Sequence, residues 1–171
     1  LLVDVYIGKS PYWDRFDNLL SGLGINGEQA SRFKEASQQK GRNVQLGRQP
    51  FPHVAKTLAK LKSLGYRVAA LSDTESTADK VVDNLRGLKV EDCFDAVTTS
   101  KDCGFCKPSA QAYEIACQSV GLSNDKCAFV GHDVDELAGA SSAGLTSIAF
   151  NYDPDATADI FIAVSYTHLR A

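Results

Sequence analysis

Val130-Gly131-His132-Asp133-Val134-Asp135-Glu136 is the stretch from which the fold of this chain can be read. An apolar strand ends at Gly131, and a tightly packed helix follows the acidic loop. In parallel α/β proteins, ligands bind at this carboxyl end of the strands. Three carboxylates in four positions exceed what helix capping needs, and hard cations such as Mg²⁺ prefer oxygen ligands. The alternative is that these acids only favour the first turn of the helix through its dipole.

Two further stretches place polar groups at similar points. Ser72 follows an apolar run, where its hydroxyl can donate to a phosphoryl oxygen. The neighbouring Asp73 fits the same role, or it caps the next helix. Lys107 precedes Pro108 at a helix start, where a cation is electrostatically misplaced unless an anion also sits there. An ordinary exposed lysine is the alternative at that position.

The spacing of apolar residues predicts alternating strands and helices from residue 54 onward. This order implies right-handed crossovers and a largely parallel, Rossmann-like α/β sheet with helices on both faces. Residues 11–24 and 27–40 are predicted as two helices, and the aperiodic segment 41–51 is predicted as a connector. The predicted strands are 66–71, 94–99, 127–130, 146–150 and 160–163. The predicted helices are 54–64, which precedes the first strand, and 76–88, 109–120 and 135–143, which lie between the strands.

The composition excludes several classes of protein. The 171 residues are 44% hydrophobic and 23% charged, with a net charge of −3, which argues against a general nucleic-acid binder. No apolar run is long enough for a membrane span, and no signal peptide opens the chain. Five cysteines, an odd number, indicate free thiols in a reducing, cytoplasmic compartment. Cys103 and Cys106 have CxxC spacing; they are interpreted as loop cysteines, with a redox or metal role as the alternative.

The three stretches together resemble the haloacid dehalogenase-like hydrolase superfamily, in its phosphoglycolate-phosphatase branch with a helical cap. The resemblance covers residues 50–163 and is most specific at 107–113 and 129–145. It implies that Ser72 and Lys107 are catalytic and that both, with Asp73, bind a small phosphorylated substrate. It also implies Mg²⁺ near the acidic loop.

That acidic loop departs from the family's pattern. His132 stands where the family has an acid, and imidazole is a poor Mg²⁺ ligand. The expected metal ligands are therefore Asp133 and Glu136, with His132 and Asp135 also in the site.

The family's nucleophile motif, Asp-x-Asp-x-Thr, is not found in the chain. Residues 1–48 are therefore expected to be part of the helical cap, and residues 49–163 a core without its first strand. Residues 164–171 resemble a translated sequencing adapter and are expected to be a non-native tail. Alternatively, Asp4 is the first-motif position, with Tyr6 in place of the acid/base aspartate.

The expected function follows from these assignments. The parent protein is a phosphatase that works through an aspartyl-phosphate, while the chain as given is inactive. A non-catalytic domain that binds a phosphorylated ligand or a protein partner is the alternative.

Overall fold

The computed structural model describes residues 2–162, so the predicted tail at 164–171 lies outside the described residues. Helices and strands alternate from residue 54 onward, as the spacing predicts. The helices are α1 Val3–Tyr6, α2 Tyr12–Gly22, α3 Gly27–Leu46, α4 Val54–Ser63, α5 Ala78–Gly87, α6 Ser100–Cys103, α7 Ala110–Ser119 and α8 Val134–Ser142. The strands are β1 Ala69–Ser72, β2 Ala96–Thr99, β3 Ala128–Gly131, β4 Thr146–Phe150 and β5 Ile160–Ile162.

Every strand pair in residues 2–162 is parallel, which confirms the predicted α/β class. The strands form two sheets, β1-β2 and β3-β4-β5, rather than one continuous sheet. β1 starts at Ala69, three residues later than predicted. Before it, the Val68 carbonyl oxygen accepts the Asp95 backbone N–H at 2.7 Å, but the Val68 N–H donates to the Asp95 carboxylate at 2.8 Å instead of to a backbone carbonyl.

One edge of β1 and one edge of β3 pair with no strand within the described range. These two strands are also more exposed than their neighbours: Val130 of β3 is 57% exposed, whereas Ala149 of β4 is fully buried. Such edges offer backbone N–H and C=O groups to a further extended segment.

Helix α7 connects the two sheets. It packs on β1 and β2, and its Tyr113 ring lies edge-on to Phe129 of β3, with 5.3 Å between the ring centroids. Tyr113 and Cys117 form a buried cluster with Ala140 and Leu145, against which Leu71 of β1 and Phe129 of β3 also pack. The core therefore contains residues from both sheets, although no backbone ladder joins them in the described part of the chain.

Helices α2 and α3 lie in the part of the chain predicted as a cap. Lys34 of α3 pairs with Asp17 of α2 at 2.7 Å and also lies over the Trp13 ring. α3 runs through Gly41 to Leu46, so the prediction of a connector from residue 41 is wrong there. A single exposed glycine lowers helix propensity but does not end a helix whose flanking residues favour it.

The possibility that Asp4 ends a nucleophile strand is also excluded. Asp4 lies in the short helix α1, and its carboxylate pairs with Arg15 at 2.7 Å. No helix in residues 2–162 is both long enough and apolar enough to cross a membrane.

Candidate functional site

Four residues lie where the end of β1, the segment before α7 and the first turn of α8 come together, and they are hereafter called the corner: Ser72, Asp73, Lys107 and Glu136. Ser72 is the last residue of β1, opposite Thr99 of β2. Asp73 follows it, and its Oδ1 accepts the backbone N–H of Lys107 at 3.2 Å. The Lys107 ammonium lies 3.2 Å from Oε1 of Glu136 in the first turn of α8. Three segments distant in sequence thus supply one site, as expected at the carboxyl ends of parallel strands.

The Lys107 side chain is only 10% exposed, so the interpretation of an ordinary exposed lysine is wrong. Glu136 is 27% exposed and compensates the lysine charge in a partly desolvated position. The contact with Glu136 is an ion pair. An ammonium has three N–H donors with which it can bind an anionic ligand.

Helix α8 approaches the start of α7 unusually closely, and this approach holds Glu136 beside Lys107. A Cβ added at Gly139 would lie 2.5 Å from Cβ and 2.7 Å from the carbonyl oxygen of Pro108. Only glycine permits that contact.

Tyr113 fixes the same junction from within the core. It is fully buried, and its hydroxyl donates to the Glu136 carbonyl oxygen at 2.6 Å. Burial, with the nearby charges of Glu136, Asp73 and Asp133, raises the pKa of the Tyr113 hydroxyl. The hydroxyl therefore stays protonated and keeps its role as donor.

The residues of the acidic loop have different roles: Asp133 caps α8, whereas Glu136 belongs to the corner. Asp133 is the N-cap of α8, and its Oδ1 accepts the Glu136 backbone N–H at 3.0 Å. His132 and Asp135 are exposed, and no hydrogen bond or ion pair between residues 2 and 162 joins their side chains to the corner.

A Mg²⁺ ion requires several oxygen ligands that converge on one point. One Asp133 oxygen caps a helix, Glu136 faces Lys107, and His132 offers nitrogen where the ion prefers oxygen. In the part of the chain that the structure describes, no three acidic, histidine or cysteine side chains converge on a common point. The described residues therefore do not fit a resident Mg²⁺ by themselves.

The loop after β1 is held by contacts that sequence reasoning missed. Asp73 does not cap α5: the N-cap residue is Thr77, and Asp73 bonds to Lys107 instead. Ser100 is fully buried, and its Oγ accepts the Thr74 N–H at 2.9 Å and lies 2.9 Å from the Tyr6 carbonyl oxygen. No pattern in the sequence predicted Ser100, because its partners are 26 and 94 residues away.

The parallel strands and the charged corner at their carboxyl ends define an α/β protein with a polar site at its strand ends. This chain belongs to the haloacid dehalogenase-like hydrolase family, whose model matches residues 3–144.

The chain is similar to a phosphatase and to a dehalogenase. The glyceraldehyde 3-phosphate phosphatase of Methanothermobacter thermautotrophicus is 31% identical over 153 residues, covering 88% of this chain and 66% of that protein. The (S)-2-haloacid dehalogenase 4A of Burkholderia cepacia is 31% identical over 101 residues, covering 59% of this chain and 43% of that protein. The chain thus spans less than two thirds of the length of either relative.

A solved structure shows the same fold. The HAD phosphatase from Thermococcus onnurineus matches with a TM-score of 0.59 at 22% identity, covering 86% of this chain and 81% of that one. The helical segment before the core and the Rossmann-like core both fall within this family's architecture.

Proposed function

We propose that this chain carries the phosphate-binding part of a phosphatase that acts on small organic phosphates. The observation that carries the proposal is Lys107, whose side chain is only 10% exposed beside the end of β1: its ammonium pairs with Glu136, while its backbone N–H is held by Asp73. The phosphatase relative, at 31% identity over 88% of this chain, supports the choice of a phosphate ester as substrate.

The proposed chemistry assigns a role to each member of the corner. An aspartate carboxylate attacks phosphorus, the alcohol leaves, and water then hydrolyses the aspartyl-phosphate to phosphate. The Lys107 ammonium neutralises charge on the transferring oxygens, and its low exposure strengthens that interaction. The Ser72 hydroxyl donates to a phosphoryl oxygen, while Asp73 and Glu136 hold Lys107 in place.

The attacking aspartate belongs on a strand that pairs with the open edges of β1 and β3. Both strands end at the corner, so the carboxyl end of a parallel strand between them would reach Ser72 and Lys107. Under this proposal residues 1–48 are cap and residues 49–163 are core. Catalysis then requires that further strand, whereas the phosphate contacts of Ser72 and Lys107 do not.

Magnesium binding through Asp133 and Glu136 stays a prediction. Because the described donors do not form a metal site alone, no step of the proposed reaction passes through a metal. The variant Asp133→Asn separates helix capping from metal binding. Asparagine caps a helix as well as aspartate does, but it lacks the charge that a cation needs.

The test combines binding with turnover. Inorganic phosphate is titrated into the 171-residue chain while backbone amides are followed by NMR, and p-nitrophenyl phosphate turnover is measured for the protein that contains this chain. Lys107→Ala should lower kcat/KM by about 10²–10³-fold. Lys126→Ala is the matched control, because that lysine is 69% exposed and pairs only with Asp125 among the described residues, at 3.7 Å.

The results distinguish three interpretations of the corner: a phosphatase site, a non-catalytic phosphate-binding site, and no phosphate site. Turnover that depends on Lys107 supports the phosphatase. Phosphate binding with no turnover by the containing protein supports the non-catalytic alternative, and equal effects of the two lysine variants would refute the corner as the phosphate site. Because Lys107→Ala leaves Glu136 without its partner, Lys107→Met with Glu136→Gln serves as a second variant in which no buried charge remains.

Haloacid dehalogenation is the second candidate. The 31% identical dehalogenase relative favours it. In that reaction a carboxylate attacks the carbon that bears the halogen, and halide leaves. Release of chloride from 2-chloropropionate, with no release of phosphate from p-nitrophenyl phosphate, would establish this reaction instead.

A further inference from the structure

Two cysteines lie in the segment that leads to the corner: Cys106 directly precedes Lys107, and Cys103 is three residues before Cys106. Cys103 is the last residue of α6, and Gly104, with φ of 79°, turns the chain out of the helix. The loop then reaches Cys106 and, directly after it, Lys107. The backbone that carries the second thiol is therefore the backbone that positions the corner's ammonium.

Both thiols are half-buried, and each has contacts that an S–S bond would replace. The Cys103 Sγ donates to the Phe105 carbonyl oxygen at 3.3 Å. The Cys106 thiol lies close to Ser100, Asp73 and Cys103: burial and the Asp73 charge raise its pKa, while a hydrogen bond with Ser100 lowers it. Cys106 is thus held as a neutral thiol on the corner side of the loop.

The chain has a second pair of neighbouring thiols, Cys117 and Cys127, in a different environment. Cys117 is 4% exposed within the core cluster, and burial with the Cys127 contact raises its pKa to about 12. A reagent in solution reaches this pair poorly, and its thiolate is scarce at neutral pH. The CxxC loop presents its thiols next to solvent, since Gly104 and Phe105 are both exposed.

We propose that Cys103 and Cys106 form an oxidation site, at which a low-molecular-weight disulfide such as oxidised glutathione joins them in an intrachain bond that displaces Lys107. This regulation rests on the proposed function, because it acts through the phosphate contact of Lys107. Disulfides in reducing compartments are typically transient and sensory, which suits a reversible switch.

The exchange balances in two steps. The Cys103 thiolate attacks oxidised glutathione, giving a mixed disulfide and one reduced glutathione. The Cys106 sulfur then attacks the Cys103 sulfur and releases a second reduced glutathione. The two cysteines together lose two protons and two electrons, and the two glutathione sulfurs gain these protons and electrons.

The Cys103–Cys106 disulfide is expected to displace Lys107 because the bond requires a fixed geometry of the two cysteines. A disulfide brings the two Cβ atoms to about 3.8 Å and the two sulfurs to about 2.05 Å. Cys106 must then leave Ser100, and Cys103 must leave the Phe105 carbonyl. The Lys107 N–H bond to Asp73 is already 3.2 Å long, so a small rotation of that peptide breaks it.

The experiment uses the 171-residue chain, reduced or treated with excess oxidised glutathione. Intact mass and peptide mapping locate any disulfide, NMR follows hydrogen exchange of the Lys107 amide, and titration with inorganic phosphate measures binding. The double variant Cys103→Ser with Cys106→Ser removes the site. Cys93→Ser is the control, since Cys93 contacts the Ala55 carbonyl in another part of the fold.

Oxidised chain should contain the Cys103–Cys106 bond. Its Lys107 amide should exchange about fivefold faster, the factor supplied by a typical hydrogen bond, and it should bind phosphate about tenfold more weakly. Dithiothreitol should reverse all three changes, the double variant should show none of them, and Cys93→Ser should behave as the parent chain.

Three results would overturn the inference: a bond between Cys117 and Cys127 instead, mixed disulfides alone, or a correct bond with unchanged Lys107 exchange. Failure of the reduced chain to bind phosphate counts against the proposed function and not against the oxidation site. In that case disulfide mapping and Lys107 exchange decide the inference without the phosphate readout.

Discussion

Replacing Gly139 with alanine tests whether the close approach of α8 to α7 builds the corner. The added Cβ would lie 2.5 Å from Cβ and 2.7 Å from the carbonyl oxygen of Pro108, and ordinary contact begins at 3.4 Å. One of the two helices must therefore move by about 0.9 Å, a displacement derived from those two distances. Because backbone atoms of Pro108 are involved, a side-chain rotation cannot relieve the clash.

Substitution of a second glycine, Gly41, serves as the control that separates the free-energy cost of overpacking from the gain in helix propensity. Gly41 lies inside α3, and a Cβ built on it meets nothing within 4 Å, so Gly41→Ala should gain up to about 1 kcal/mol of stability from helix propensity alone. Gly139→Ala has the same propensity gain but adds an overpacking cost of about 1–3 kcal/mol. The two variants should differ in free energy of unfolding by that overpacking cost.

Urea unfolding followed by circular dichroism measures the difference, provided the m-values agree. Turnover by the protein that contains this chain supplies a second measure, since a displacement of about 1 Å in a catalytic group costs about 10²-fold. If Gly139→Ala stabilises the chain as much as Gly41→Ala and leaves turnover unchanged, the close approach does not position Glu136.

Three further predictions concern charged groups. Asp133→Ala should destabilise the chain by about 1 kcal/mol, whereas Asp133→Asn should not, and equal losses in urea unfolding would refute its capping role. Lys107→Met should cost roughly 2 kcal/mol, and adding Glu136→Gln should recover most of this, as a double-mutant cycle would show; simple additivity would contradict the pairing. Hydrogen bonds from Ser147 lower the pKa of the Asp159 carboxyl, so its stabilisation is complete above the unfolded pKa of about 3.9 and is lost as pH falls through the folded value. Asp159→Asn should therefore lower stability at neutral pH but not in strong acid; a pH-independent loss would oppose this.

Local patterns predicted the elements of the core well. The strand 146–150 has the predicted bounds, each other predicted core element lies within a few residues of its predicted position, and the short helix α6 was not predicted. Period-2 and period-3.6 spacing are properties of neighbouring residues, so they can be read from the sequence directly. Where a bound was wrong, a distant side chain or a tolerated glycine decided it, as at Val68 with Asp95 and at Gly41.

The members of the corner could be named from sequence, but their partners could not. Motif position singled out Ser72, Asp73, Lys107 and Glu136, because strand ends and helix starts are visible locally. The Asp73–Lys107 hydrogen bond spans 34 residues and depends on tertiary packing. For the same reason, the sequence favoured a metal role for Glu136 although the structure pairs it with Lys107.

The position of α7 between two sheets has a consequence for how the molecule unfolds. Within residues 2–162 no backbone ladder crosses from β1 to β3, so cooperativity between the halves passes through the side chains around Tyr113. Proteins open in cooperative units, and two sheets that are joined only by side-chain packing can open as separate units once that packing is lost. Tyr113→Ala should therefore split one unfolding transition into two, with the β1-β2 and β3-β4-β5 sheets exchanging their amide protons at different denaturant concentrations. The helix that begins three residues after Lys107 is therefore also the element through which the two sheets pack against each other.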